Sequence, residues 1–287
     1  MKSHLRIVLT AGLLAAATLV SAPAYAQVDL SGGWAGVFHE DQPHRVPGAA
    51  LGDYAGIPLN DNARAFAEAW SPSRMTVPEH QCQSHTSPYL ERGPLNMRFW
   101  DERDPITQVI VAIHLDISNY QQRRVIWMDG RPHPSPNAEH TWMGFSTGEW
   151  DGDTLIVTTT HIKQEWMDNG RNGVPQSDRA VLTEHYFRHG DILTQVTYLD
   201  DPVYLTEPLV KTTNMQRSLR EQAPQTLLYP CESVVELGNQ AAGAVPHFMP
   251  GENPNLKEFR DQSGLPEIAT RGGAEGLYPE FQLKLRK

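Results

Sequence analysis

This sequence predicts an all-β fold, an antiparallel meander closing into a barrel or a strongly curved sheet. Three observations carry that expectation. Short runs rich in Val, Ile, Thr and aromatic residues recur along the middle of the chain, bounded by Gly, Asp and Pro. Three of the boundaries hold Asp-Gly or Gly-Asp pairs that read as turns, at residues 129–130, 151–152 and 190–191. With 22 Gly and 22 Pro among 287 residues, the chain has many turns and little room for long helices. Closure into a barrel would remove sheet edges that otherwise recruit another chain.

Residues 1–26 start with Lys2 and Arg6, run through an apolar stretch and end in Ala24-Tyr25-Ala26. That is the pattern of a cleaved secretory signal peptide, and it predicts a protein of the periplasm or the cell exterior. No later apolar run is long enough to span a bilayer as a helix. Residues 27–237 are expected to form one barrel-like domain and residues 238–287 an irregular tail. The first strand is expected over 27–38. Residues 60–70 predict a short helix, capped by Asn60, with Ala63, Phe66, Ala67 and Trp70 at helical spacing and Pro72 ending it.

Residues 79–104 read as irregular, with His80, Cys82 and His85 close together. Strands are expected over 106–115, 123–128, 141–150, 154–162, 180–189, 192–199, 209–219 and 226–237. In the central hairpin, a turn at Asp151-Gly152 would set Trp142 opposite His161 and His140 diagonal to it, on one face. In the next hairpin, a turn at Gly190-Asp191 pairs His185 with Val196 and Phe187 with Thr194. Pro230 assigns the last strand to an edge or a bulge. In the tail, Phe248, Phe259, Tyr278 and Phe281 predict a strap lying over the sheet or its mouth.

The formal charge is −10. It argues against nucleic acid, anionic membranes and polyanionic substrates as partners. A small-molecule ligand or substrate is the partner expected. Cys82 and Cys231 are the two cysteines of the chain, and in an oxidising compartment they are expected to pair.

The candidate site follows from the central hairpin. His161, His140 and His133, the last in the Arg131-Pro132-His133-Pro134 turn, are candidate catalytic groups for acid–base chemistry. His140 and His161 are also candidate ligands for a divalent transition metal, although no HExxH-type spacing accompanies them. Trp142 and Trp127 are candidate walls of a pocket, and Arg131 a candidate anion clamp unless it pairs with Asp129 or Glu139. The plainer reading has these histidines hydrogen-bonding strand ends and turns. GxSxG, P-loop and GxGxxG motifs are absent, which argues against serine-hydrolase, nucleotide-binding and Rossmann classes.

At DGRPHP (residues 129–134), HTWMGFSTGEWDGDTLIVTTTH (140–161), LTEHYFRHGD (182–191) and DPVYLTEP (201–208) the chain resembles a set of exported bacterial all-β proteins. That resemblance implies export and a β fold, and transfers no catalytic residue. A looser similarity to lipocalin-like barrels rests on topology and Gly33-Trp34. Three functions stay open at this level. One is a periplasmic enzyme acting on a small apolar or aromatic molecule by His-based or metal-assisted lyase, isomerase or hydrolase chemistry. The others are a carrier of a hydrophobic ligand and an envelope interaction protein.

Overall fold

The computed structural model describes residues 28–37, 49–54, 56–90, 96–117, 122–167, 172–219, 231–235, 241, 243–266, 269, 271–273 and 278–283. The expected signal segment and part of the expected last strand lie outside them. Eleven strands are described: β1 (Gly32–Gly36), β2 (Asn96–Arg103), β3 (Ile110–Ile117), β4 (Gln122–Trp127), β5 (Phe145–Asp151), β6 (Thr154–Thr160), β7 (Glu165–Trp166), β8 (Pro175–Gln176), β9 (Val181–His189), β10 (Ile192–Asp200) and β11 (Leu209–Arg217). Nine of them close into a barrel in the order β1-β11-β10-β9-β6-β5-β4-β3-β2, and β7 pairs with β8 apart from it. The fold is all-β, as expected. Neighbours in the barrel are antiparallel except β4 and β5, which pair in parallel over two residues.

Alternation decides which side chains face inward. Leu155, Val157 and Thr159 on β6 and Leu182, Glu184 and Tyr186 on β9 are buried, while the residues between them are not. Trp34, Met97, Phe99, Leu115, Leu155 and Tyr186 belong to one buried apolar cluster, so the lumen is filled with side chains. The same interior holds an ion pair between Arg124 and Glu184. Arg124 also donates to Ser146 Oγ at 3.0 Å and to Thr159 Oγ1. Glu184 Oε1 accepts from the Tyr186 hydroxyl at 2.9 Å and from Gln195 Nε2 at 2.7 Å. With both charges buried, these bonds offset a desolvation cost of several kcal/mol per ion.

Both hairpins turn through Gly-Asp. His189 pairs with Ile192 around Gly190-Asp191, and the predicted partners of His185 and Phe187 are correct. In the central hairpin Asp151 pairs with Thr154, so the turn is Gly152-Asp153 and not Asp151-Gly152. Gly152 has φ +58° and Gly190 φ +61°, whereas neither Asp has positive φ. Glycine at the first central position with a negative-φ residue after it is the type II′ pattern.

Two other expectations change. Residues 96–103, expected to be irregular, form β2, with Met97 and Phe99 inward. Residues 231–235 are not a strand but a segment held against α2 (Pro78–Gln81). Ser233 Oγ donates to Pro78 O, and Val234 N to Gln81 Oε1. The barrel therefore closes through β1 and β2.

The expected helix is α1 (Asp61–Glu68), with Asn60 Oδ1 accepting from Ala63 N. It packs through Ala63 and Ala67 on a second apolar cluster that includes Leu182, Leu199 and Leu209 and covers one end of the barrel. One-turn α3 (Ser87–Leu90) packs instead on the barrel cluster, through Tyr89. The described tail lies on this cap: Phe248 N donates to Ala69 O, and Asn253 Nδ2 to Glu68 O. The tail also contains α4 (Pro254–Ser263), capped by Asn253 and ended by Gly264, and one-turn α5 (Pro279–Gln282). No helix among the described residues is long and apolar enough to cross a membrane. Cys82 and Cys231 form a disulfide, with Cα atoms 5.6 Å apart.

Candidate functional site

The predicted histidines do meet, by a route the hairpin register did not foresee. Before β5 begins, Thr141 bridges Ile162 in parallel. In that arrangement His140 lies beside His161, with ring centroids 5.1 Å apart, and Trp142 lies beside Lys163, whose Nζ is 5.0 Å from the indole centroid. Trp142 is thus not opposite His161. The chain reverses at Gly144 to enter the antiparallel hairpin.

Ring-nitrogen partners show what the cluster does. His161 Nε2 lies 2.9 Å from Ser135 O, and a carbonyl only accepts, so Nε2 carries the proton. His161 Nδ1 then accepts from Thr160 Oγ1 at 2.7 Å. That hydroxyl accepts from His133 Nδ1 at 2.7 Å, and His133 Nε2 accepts from Thr147 Oγ1 at 2.9 Å. His140 Nδ1 donates to Ile162 O at 3.1 Å. The result is one directed chain of neutral groups, Thr147–His133–Thr160–His161–Ser135. It fastens the proline-rich 131–137 segment, which crosses from β4 to β5, onto β5 and β6. Burial lowers the His133 imidazole from its ordinary value, and the unfavourable electrostatics of a proton added beside the His161 ring act in the same direction. His161 itself adopts φ +58°, a costly backbone for a residue with a Cβ.

The hydrogen bonds of this cluster lend no support to His140 and His161 as metal ligands. His161 has committed Nε2 to a carbonyl and Nδ1 to a hydroxyl. Among the described residues no group of three or more His, Cys, Asp or Glu side chains is placed to hold an ion. Arg131 is also engaged: its Nε donates to Asp129 Oδ1 at 2.8 Å, and its guanidinium carbon lies 3.5 Å from the Trp127 centroid. That is the Asp129 pairing rather than an anion clamp.

The cavity lies elsewhere, on the cap at the covered end of the barrel. It is a cleft of about 510 Å³ lined by Trp70, Arg74, His80, Gln83, Glu165 and Trp166, with Phe66, Pro246 and His247 among the other lining residues. None of His133, His140 and His161 lines it. Its volume falls within the range of small-molecule sites. Trp70 follows α1; Arg74 lies on a 3-10 turn (Pro72–Thr76); His80 lies on α2; Glu165 and Trp166 form β7. The Trp70 and Trp166 rings meet edge to face at 4.6 Å. Arg74 sits 5.7 Å from each of their centroids. Gly173 backs the Trp70 ring closely, and Phe248 N ties the tail to Ala69 O beside it.

A polar relay runs behind the cleft. Glu165 Oε2 accepts from His85 Nδ1 and from Gln83 Nε2, both at 3.2 Å. Gln83 Oε1 accepts from His80 Nδ1 at 2.9 Å. The donor and acceptor ends of one amide thus connect a buried carboxylate to the His80 ring. With its proton on Nδ1, His80 presents Nε2 as a lone pair, met by Arg74 Nε at 3.4 Å. His85 is fully buried and stacks on Tyr89 at 4.0 Å.

His80, His85 and Trp166 were visible in the sequence as isolated residues. His80 and His85 flank Cys82, whose bridge to Cys231 ties their segment to residues 231–235. Arg74, Gln83 and Glu165 carried no signal. No family model, curated protein or solved structure matches the chain.

Proposed function

We propose that the protein is an exported enzyme that moves a proton on a small, partly aromatic substrate held in the cleft that Trp70 and Trp166 line. The chemistry is of the lyase, isomerase or hydrolase class. One observation carries this reading: the Glu165–Gln83–His80 relay fixes the tautomer of a histidine that lines a cleft walled by two indoles. A carboxylate holding an imidazole through a hydrogen-bonded partner is the arrangement a general base needs, and such a group contributes about 10²–10⁴ in rate. Arg74, beside Nε2, stabilises negative charge that develops on the substrate. Here the acid–base role falls to His80, while His133, His140 and His161 fasten a crossing segment. Export draws support from residues 1–26 and from a disulfide compatible with an oxidising compartment.

The test is a panel of 4-nitrophenyl esters and aromatic 2- and 3-hydroxy acids, assayed with the parent protein and with His80→Gln. Turnover is expected for a member of the panel, with a fall of about 10²–10⁴ in kcat for His80→Gln. Unchanged kcat in that variant refutes the mechanism.

A carrier function is the second reading. It draws on the contact from Arg74 Nε to His80 Nε2, which occupies the lone pair that catalysis would use. Native mass spectrometry separates the two: a carrier co-purifies with an unaltered molecule that dissociates intact.

A further inference from the structure

We propose that the ligand of this cleft is an aromatic monocarboxylate, with Arg74 as the group that recognises the carboxylate. The inference rests on the cleft being the site of action and adds the chemical class of what enters it.

Arg74 is held by aromatic faces rather than by a counter-charge. Its guanidinium lies over Trp70 and Trp166, and its Nε makes one long contact to the neutral side of His80. Among the described residues no carboxylate stands within ion-pair distance of it. In a chain with 34 Asp and Glu against 24 Lys and Arg, a cleft-lining arginine without a carboxylate partner is a recognition feature more than a surface accident. The guanidinium edge offers parallel N–H donors whose spacing matches a carboxylate. Cation–π contact with both indoles limits where the guanidinium can sit before a ligand arrives, which lowers the ordering cost of binding.

The rest of the cleft sets the other half of the molecule. Two indoles and two prolines, Pro175 and Pro246, give flat apolar walls suited to an aromatic ring. Glu165 also lines the cleft and is nearly buried, with its Oε2 taken by His85 and Gln83. A carboxylate so placed repels a second negative charge, which disfavours a phosphate dianion against a monoanion. Arg74 in turn repels an amine. What remains is a planar apolar body bearing a single negative carboxylate. Bound to Arg74, that carboxylate would compete for the guanidinium with His80, freeing Nε2 for the proton transfer proposed above.

Isothermal titration calorimetry on the disulfide-intact chain tests this with three probes of one shape: 2-naphthoate, 2-naphthamide and 2-naphthyl phosphate. The expected result is that 2-naphthoate binds at least tenfold more tightly than the other two. Arg74→Gln should weaken 2-naphthoate by tenfold or more and leave 2-naphthamide within twofold. Arg74→Lys, which keeps the charge and loses the fork, should fall between the parent and Arg74→Gln. If Arg74→Gln does not fold, Arg74→Lys and the salt dependence decide, because added salt should weaken 2-naphthoate and spare 2-naphthamide. Equal affinity for carboxylate and carboxamide, or tightest binding of the phosphate, overturns the monocarboxylate assignment while leaving the cleft as a binding site. Absence of binding by all three, or binding unchanged in Trp166→Ala, removes the cleft reading and this inference with it.

Discussion

Replacing Gly173 with alanine measures how tightly the wall of the cleft is built. Gly173 has φ +71°, and a Cβ added there would lie 2.2 Å from Trp70 Cβ and 2.3 Å from Trp70 Cγ. Those atoms form the stem of the indole, so turning the ring does not relieve the overlap. Either the residues after α1 or the segment leading into β8 must shift. The left-handed backbone costs alanine about 1–2 kcal/mol, and overpacking a filled site about 1–3 kcal/mol. The sum is about 2–5 kcal/mol, or a fall in Tm of about 4–20 °C for a chain of this size. Gly190→Ala is the control. It has φ +61° at a hairpin tip with nothing within 4 Å of an added Cβ, so it bears only the backbone cost. Urea unfolding followed by tryptophan fluorescence gives both values. Gly173→Ala is expected to exceed Gly190→Ala by about 1 kcal/mol or more, and to weaken 2-naphthoate in the cleft. Equal losses in the two variants would refute the claim that Trp70 is pinned against the Gly173 backbone.

Two further outcomes follow from polar groups placed by the barrel. Glu184→Leu leaves Arg124 buried without its carboxylate and is expected to cost about 3–5 kcal/mol by urea unfolding, whereas Arg124→Met combined with Glu184→Leu should regain most of it. The histidine chain makes stability depend on pH. The folded protein holds His133 below its ordinary value, so the unfolded chain binds more protons as pH falls. That contribution is fully present above about pH 6.5 and is lost as the pH drops from there towards the lower folded-state value. His133→Asn should therefore flatten the decline in Tm between about pH 8 and pH 5, and an unaltered slope would assign the pH dependence to other groups.

The barrel was legible because its signals are local. Alternation on β6 and β9, Asn60 before α1 and the Gly-Asp turn at 190–191 each act over a few residues. The central turn misled for a physical reason: Asp151-Gly152-Asp153 contains both Asp-Gly and Gly-Asp, and the backbone takes the reading that gives Gly152 the sole positive φ. The resulting change moves each pairing by two residues, which preserves the faces, so the inward set on β6 was unaffected. β2 escaped because charged residues at 101–103 mask the alternation of Met97 and Phe99. In the tail, Asn253-Pro254 and Gly264 do mark the ends of α4, but little apolar periodicity lies between them.

The cleft was illegible for the opposite reason. Its walls come from residues 66–74, 80–83, 164–166, 173–175 and 246–247, segments too short to show a period and far apart in the chain. They are brought together by contacts that sequence spacing does not encode: the bond from Gln83 Nε2 to Glu165 Oε2, the packing of Gly173 on Trp70, and the bond from Phe248 N to Ala69 O. The 140–161 histidines, by contrast, fall within one hairpin and its approach, where a turn signal makes adjacency easy to foresee. Adjacency alone does not make a site. Every nitrogen of His133 and His161 is spent on holding the crossing segment, whereas His80 lines a cavity and its Nε2 meets a long contact, 3.4 Å, from Arg74 Nε. The hydrogen-bond account of each imidazole, more than its proximity to another, is what separates the fastening histidines from the one proposed for chemistry.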